Sequence, residues 1–182
     1  MVEKITDIKI KEKLWFSIII CCFNSEKYLE TTLNSIIEQN YNFWELIIID
    51  DGSTDRTKSI INEFRNNYPK IKYFYQKNRG FASARNTAIN EASHDWIVIL
   101  DHDDIALPDR LAIHLDQIVK KPNAKLFFGD TIHFKNNEIK VRKNLDIFNL
   151  ENINLEKKKV YESLLIEGCF IDSESVVFSK KA

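Results

Sequence analysis

Two clusters of aspartates carry the clearest chemical signal in the sequence. Asp50 and Asp51 end one isoleucine-rich run, and Asp101, His102 and Asp103 end another. In an extended chain, residues two apart point to the same side, so we expect Asp101 and Asp103 to face one site while His102 faces away. Paired carboxylates suit Mn²⁺ or Mg²⁺, which take oxygen ligands and keep positions for water and phosphate. The clusters therefore predict a divalent-metal site, and the alternative is a solvated acidic loop beside a helix start.

The segments around these aspartates alternate between strand and helix patterns. Short, continuous apolar runs are typical of buried strands, and apolar residues at helical spacing lie between the runs. We predict strands at 16–22, 46–49, 71–75, 96–100 and 125–129, a hairpin at 131–142, a helix at 155–166 and a last strand at 175–178. The sequence thus predicts an α/β fold with a mostly parallel sheet flanked by helices on both faces.

The predicted helices begin close to the carboxyl ends of these strands. Ser25 and Asp55 are suited to cap the first two helices, Gly80 opens the third, and Pro108 fits the first turn of the fourth. In an open α/β sheet, ligands bind outside the carboxyl ends of the strands. We therefore expect the two acidic clusters, although distant in sequence, to meet at one edge of the sheet.

Composition excludes several classes of function. Lys and Arg (26) and Asp and Glu (27) nearly cancel to a net charge of −1, which argues against nucleic-acid binding. The four glycines are scattered, so a glycine-rich dinucleotide or phosphate loop is excluded. Three cysteines without a CxxC pair and four scattered histidines form neither a disulfide framework nor a zinc-ligand pattern.

For domain organisation, we predict an N-terminal extension over residues 1–15 and a single domain over 16–182. Isoleucines among the lysines of the extension favour packing on the sheet edge over contact with a membrane surface. The most apolar run, 18–23, is far shorter than the ~20 residues of a membrane span, and the N-terminus is too charged for a signal peptide. The sequence predicts a cytoplasmic protein, with peripheral association at the inner face of the cytoplasmic membrane left open.

Three stretches resemble the family 2 glycosyltransferases, which have the GT-A fold. They are FSIIICCFNSEKYLETTLNSIIEQ, ELIIIDDGSTDRT and NRGFASARNTAINEASHDWIVILDHDDIALPDRL, in the family's order and spacing over residues 16–120. The resemblance implies a nucleotide-sugar donor, usually a UDP-sugar, a divalent metal, and transfer to a hydroxyl with inversion. Polysaccharide or lipo-oligosaccharide synthesis on a saccharide or lipid-linked saccharide acceptor is expected by analogy with the family.

The resemblance also assigns roles to residues at the base end of the donor site. It implies that Asp51 lies at the uracil edge, where a carboxylate accepts the ring N–H, and that Phe23 lies beside the base. Cys21 stands in the same pocket, at a position where proline or threonine is usual.

At the phosphate end, the resemblance implies that Asp101 lies near the ribose. Asp103, together with Asp101, is expected to hold the metal against the diphosphate. Arg85 matches a recurring arginine of the family. Two roles are open for it: an ion pair with Asp51 or Asp101, or a place near the phosphates.

The general base is the part of the pattern that we expect this sequence to lack. The resemblance implies a base beyond the strand at 175–178, yet no acidic residue follows Glu174. The base and the acceptor-binding region are therefore expected to be missing, with Asp172 and Glu174 as weak substitutes. The alternative function is a nucleotide-sugar-binding domain without turnover. A sugar-nucleotidyltransferase is disfavoured because the loop at 23–26 has neither glycine nor basic residues.

Overall fold

The computed structural model describes residues 14–135, 138–142 and 175–181. The chain forms two compact units, one of residues 1–127 with 177–182 and one of residues 128–176. Each is described by itself below. The single domain expected over residues 16–182 stays a prediction.

The first unit is built on a six-stranded sheet with the order β3-β2-β1-β4-β8-β5. Strands β1 to β4 pair in parallel, and β8 runs antiparallel between β4 and β5. The predicted mostly parallel sheet is therefore confirmed. The strands, including the two of the second unit, are β1 Phe16–Cys22, β2 Trp44–Asp50, β3 Ile71–Tyr75, β4 Trp96–Ile99, β5 Leu126–Phe127, β6 Thr131–Lys135, β7 Glu138–Arg142 and β8 Val177–Ser179.

Helices cover both faces of this sheet, as predicted. They are α1 Leu29–Ile37, α2 Thr57–Asn67, α3 Phe81–Glu91 and α4 Arg110–Lys120. Alternate residues of the central strands point to opposite faces. Ile18 and Ile20 of β1 pack in one core with α1, α2 and α4, while Ile19 packs in the other core with Ala84 and Ala88 of α3. Every residue of β1 and β2 is buried, which explains their continuous apolar runs.

The helix starts differ in part from the predicted ones. The prediction that Asp55 caps α2 was wrong, because Arg56 is the N-cap residue and makes no side-chain cap hydrogen bond. Asp55 lies one residue earlier, where its carboxylate accepts the backbone N–H of Thr57 at 2.9 Å. The prediction that Ser25 caps α1 was wrong, because α1 begins only at Leu29. The Ser25 hydroxyl instead accepts the backbone N–H of Phe23 at 3.1 Å and shapes the loop after β1.

In the second unit, β6 and β7 form the predicted antiparallel hairpin. The helix predicted at 155–166 lies outside the described residues. None of the helices in the described part of the chain combines the length and the apolarity that a membrane crossing requires.

Candidate functional site

A cavity of about 260 Å³ opens at the carboxyl ends of β1 and β2, the edge predicted from the sequence. Three of the predicted site residues, Cys21, Phe23 and Asp51, line it. The full lining is Cys21, Cys22, Phe23, Asp51, Asn78, Gly80, Phe81, Ala84 and His102. The structure therefore brings together segments that follow β1, β2, β3 and β4.

The Asp51 carboxylate is held at the cavity wall by the loop that joins β3 to α3. Its Oδ1 accepts the Gln76 side-chain amide at 2.7 Å and the backbone N–H of Arg79 at 2.9 Å. Its Oδ2 accepts the backbone N–H of Gly80 at 2.9 Å. A carboxylate offers about four acceptor positions, and these three bonds use both positions of Oδ1 and one of Oδ2. Asp51 itself is 4% exposed.

Glycine is required at position 52 for the two loops to approach each other. Gly52 has a φ of +85°, and a Cβ built there would lie 2.8 Å from the backbone nitrogen of Asn78. Both the left-handed backbone and the close contact disfavour any larger residue. Gly52 thus sets the spacing between Asp51 and the loop that binds it.

Asp50, next to Asp51, faces away from the cavity and is fully buried. Its Oδ1 accepts the backbone N–H of Ser53 at 2.8 Å, and its Oδ2 accepts the Tyr73 hydroxyl at 3.0 Å. Burial, together with this bond to Asp50, raises the pKa of Tyr73. Asp50 is therefore a structural residue, which orders the turn after β2.

A second set of hydrogen bonds ties the loop after β1 to the loop after β2. The Asn24 side-chain oxygen accepts the backbone N–H of Thr54 at 2.9 Å, and the Asn24 backbone N–H donates to the Ser53 hydroxyl at 2.9 Å. The Ser25 backbone N–H donates to the Thr57 hydroxyl at 2.7 Å. Asn24 has a φ of 51°, a conformation that asparagine tolerates better than most residues. These contacts support Phe23 at the rim of the cavity.

The segment Asp101–Asp104 turns instead of continuing β4. The backbone N–H of Asp104 donates to the Asp101 carbonyl at 3.2 Å, and β4 has already ended at Ile99. The alternation of an extended chain therefore does not apply here. The prediction that His102 faces away from the site was wrong, because His102 lines the cavity. Its Nδ1 lies 3.2 Å from Oδ1 of Asp103.

Arg85 on α3 adopts one of the two roles left open by the sequence, the ion pair. Its Nη2 lies 3.1 Å from Oδ1 of Asp101. Its guanidinium also stacks over the Phe81 ring, 4.3 Å from the ring centroid. Phe81 thus connects the cavity wall to the Arg85–Asp101 pair.

Cys21 contributes shape to the cavity and no reactive thiolate. Burial raises its pKa to about 12, outweighing the opposing effect of Arg85, and Asp101 and Asp51 raise it further. Only a thiolate is a good nucleophile or metal ligand. At neutral pH the Cys21 side chain is therefore a small neutral wall residue.

A fully preformed metal centre is absent from the described residues, since no three His, Cys, Asp or Glu side chains group together there. Asp101 and Asp103 come from one turn, and their side chains are 27% and 50% exposed. Two accessible carboxylates fit Mg²⁺ or Mn²⁺ if phosphate and water supply the other ligands. The two carboxylates are thus compatible with a metal ion that binds together with a diphosphate.

The sequence did not single out Gln76, Asn78, Phe81 and His102 for the site. Asn78 and Phe81 flank Gly80, at the opening of a predicted helix next to the sheet edge, and that position was the available signal. Gln76 carried no signal of its own, and His102 stood inside the second aspartate cluster but was expected to face away from the site. The weak base candidates Asp172 and Glu174 lie outside the described residues, so their role stays a prediction.

The sheet order, the flanking helices and the cavity at the carboxyl edge define the class as a mixed α/β protein with the GT-A fold of glycosyltransferases. A family model described as Glycosyl transferase family 2 matches residues 17–179. The chain therefore belongs to glycosyl transferase family 2.

Similar proteins fall within the same class. Chondroitin synthase of Escherichia coli is 37% identical over 65% of this chain and 17% of its own length. Poly-beta-1,6-N-acetyl-D-glucosamine synthase of Staphylococcus aureus is 36% identical over 59% of this chain and 26% of its own length. The structure of S. aureus TarS 1–349 in complex with UDP-GlcNAc is 27% identical, with a TM-score of 0.63 over 69% of this chain and 36% of that chain. The chain spans well under half the length of each of these proteins.

Proposed function

We propose that this chain binds a UDP-sugar in the cavity and takes part in transferring the sugar, with inversion, to a hydroxyl of a saccharide or lipid-linked saccharide acceptor. The observation that carries the proposal is the Asp51 carboxylate, which lines the cavity with one acceptor position left over. Uracil presents one N–H donor at N3, whereas the corresponding atom of cytosine is an acceptor. The TarS complex with UDP-GlcNAc supports the same donor class.

The uracil base of the donor is expected to lie between aromatic side chains at the rim of the cavity. Phe23 and Phe81 both line the cavity and are each 47% exposed. An exposed ring beside a binding cavity gains contact area when a base stacks on it. Phe23 follows β1 and Phe81 begins α3, so the two rings approach the cavity from different loops.

The diphosphate is expected at the Asp101–Asp104 turn. Asp101 and Asp103 would hold Mn²⁺ or Mg²⁺ there, and the ion would stabilise the charge that develops on the leaving diphosphate. Arg85 keeps Asp101 in place through its ion pair. Its second proposed role is to place positive charge near the phosphates once the donor is bound.

Transfer also requires a group that takes the proton of the acceptor hydroxyl. Asp172 and Glu174 remain the candidates proposed within this chain. The relatives named as polysaccharide synthases support a role in polysaccharide synthesis. Association with the inner face of the cytoplasmic membrane stays a prediction.

The proposal is tested with the full chain in two steps. Isothermal titration calorimetry with UDP and CDP, in Mn²⁺, measures recognition of the base. Release of UDP from UDP-GlcNAc, with and without a panel of saccharide acceptors, then measures turnover. We expect UDP to bind at least 10-fold tighter than CDP, and acceptor-dependent release of UDP. Equal affinities would overturn uracil recognition, and tight UDP binding without release would favour a donor-binding domain.

A further inference from the structure

Gln76 follows β3 and contacts Asp51 through its side-chain amide. Its backbone N–H donates to the Asp50 carbonyl at 3.0 Å, which extends the pairing of β2 with β3 by one residue. Its side-chain amide is thereby brought 2.7 Å from Oδ1 of Asp51. Gln76 is absent from the cavity lining, and its contact with the lining is the hydrogen bond to Asp51.

The orientation of the Gln76 amide is determined by its two neighbours. A carboxylate only accepts hydrogen bonds, so the NH₂ group must face Asp51. The amide oxygen then faces the hydroxyl of Thr87 on α3, 3.0 Å away. That hydroxyl also lies 3.0 Å from the Ser83 carbonyl, so its single proton is shared between the Gln76 amide oxygen and that carbonyl. A flipped amide would place its oxygen against the Asp51 carboxylate and its NH₂ group against the Thr87 hydroxyl.

We propose that Gln76 and Thr87 form a positioning pair that holds the Asp51 carboxylate at the cavity and thereby sets the preference of the site for uracil over cytosine. This inference rests on the proposed function, since it requires Asp51 to meet the base. Together with the backbone N–H groups of Arg79 and Gly80, Gln76 occupies three acceptor positions of Asp51. The remaining acceptor position of the Asp51 carboxylate then matches the single N3–H donor of uracil.

The β3–α3 loop thus supplies two kinds of hydrogen-bond donor to Asp51, backbone N–H groups and one side-chain amide. The two backbone donors bind Asp51 whatever side chains the loop carries. Gln76 is the side-chain donor to Asp51 among the described residues, and the Thr87 hydroxyl supports the amide by donating to its oxygen. Without this pair, the carboxylate keeps two bonds but gains freedom to rotate, and it meets the base less often in the productive geometry.

The test compares UDP and CDP binding, by calorimetry in Mn²⁺, across four variants of the full chain. Gln76→Leu removes the donor, and Thr87→Val removes the hydroxyl while keeping the shape. Thr87→Ser restores the hydroxyl, and Lys77→Ala is a control on an exposed residue of the same loop. We expect Gln76→Leu and Thr87→Val to weaken UDP binding by about 3- to 10-fold and to leave CDP binding unchanged. Thr87→Ser and Lys77→Ala should retain the wild-type ratio of the two affinities.

The ratio of UDP affinity to CDP affinity distinguishes a positioning effect on Asp51 from a general structural effect on the loop. Parallel loss of UDP and CDP binding in Gln76→Leu and Thr87→Val would show that the pair only supports the loop, and would overturn the inference. Adding Gln76→Leu to Asp51→Ala should cause no further loss of UDP affinity, because the effect passes through Asp51. If the wild type itself binds UDP and CDP equally, the proposed function fails. If it discriminates and the variants discriminate equally, only the inference fails.

Discussion

At the scale of single residues, the adjacent aspartates after β2 have different roles because their side chains leave the chain in opposite directions. Asp50 is fully buried and binds Ser53 and Tyr73, whereas Asp51 lines the cavity. A change at Asp50 should therefore affect the fold, and a change at Asp51 should affect both the ligand and the β3–α3 loop, whose three donors its buried carboxylate binds.

Asp51→Asn should weaken UDP binding by about 1.5–3 kcal/mol, the range for a hydrogen bond to a charged group. Binding of pyrophosphate with Mn²⁺ should not change, because Asp51 is assigned to the base. Calorimetry with both ligands measures this, and Asp116→Asn makes the same chemical change on α4, at a partly exposed carboxylate that pairs with Lys120. Equal weakening of both ligands would mean that Asp51 acts through the loop or the metal.

Phe23→Ala should weaken UDP binding by about 1–3 kcal/mol if the ring stacks on the base. The ring is 47% exposed, so little of the core is lost with it. Phe43→Ala removes another exposed ring at the amino end of β2, opposite the cavity, and should leave UDP affinity unchanged. A Phe23 variant with wild-type affinity would remove the ring from the proposed base site.

Asp103→Asn should abolish most of the metal-dependent part of UDP affinity. Its side chain is 50% exposed, so the melting temperature should stay within about 2 °C of the wild type. The comparison is UDP titration in Mn²⁺ against titration with a chelator. A variant that keeps the full Mn²⁺ dependence would show that Asp103 does not hold the ion.

At the scale of elements, the site depends on loops that are held together from opposite sides. Asn24 joins the loop after β1 to the loop after β2, and Asp51 joins the latter to the loop after β3. Gly52 lies at the closest approach of the last two loops. A substitution that alters the backbone of one of these loops should therefore change the geometry of the cavity, even when the substituted residue does not contact the ligand.

Gly52→Ala should lower the free energy of unfolding by about 1–3 kcal/mol and also weaken UDP binding. The added methyl meets the Asn78 backbone nitrogen at 2.8 Å, on a backbone with φ of +85°. Gly80→Ala is the matched control, since Gly80 has a φ of +86° but open space around a Cβ. Urea denaturation should show the larger loss for Gly52→Ala, and equal losses would assign the whole effect to backbone strain.

At the scale of the whole molecule, stability should depend on pH through His114 of α4, a buried residue. Burial, and then the charge of Arg110, lower the pKa of His114 from 6.5 to about 3. As the pH falls below 6.5, the His114 imidazole therefore binds a proton in the unfolded chain but stays neutral in the folded chain. The folded state loses stability as the pH falls from 6.5 towards 3.

The loss should reach about 1.4 kcal/mol per pH unit for this single proton. Urea denaturation of the wild type and of His114→Gln, at several pH values between 7 and 4, measures the difference. The wild type should lose stability relative to the variant as the pH falls. A constant difference between the two proteins would show that His114 is protonated in the folded state.

The sequence by itself determined the elements and the edge of the sheet at which the site lies. The buried runs of β1 and β2, the amphipathic spacing of the helices and the aspartates at strand ends are local patterns, and local patterns need no knowledge of distant contacts. They were sufficient to place the two aspartate clusters at one edge of the sheet. The family resemblance then singled out Cys21, Phe23 and Asp51, which line one cavity there.

Only the tertiary structure decided which groups meet across the loops. Gln76 lies close to Asp51 because β2 and β3 pair in parallel. Arg85 forms its ion pair with Asp101 because α3 packs on the sheet beside β1 and β2. His102 enters the cavity because the chain turns after β4, which cancels the alternation expected of an extended segment. Such contacts join residues that are far apart in sequence or that sit in irregular backbone, and no periodic pattern encodes them.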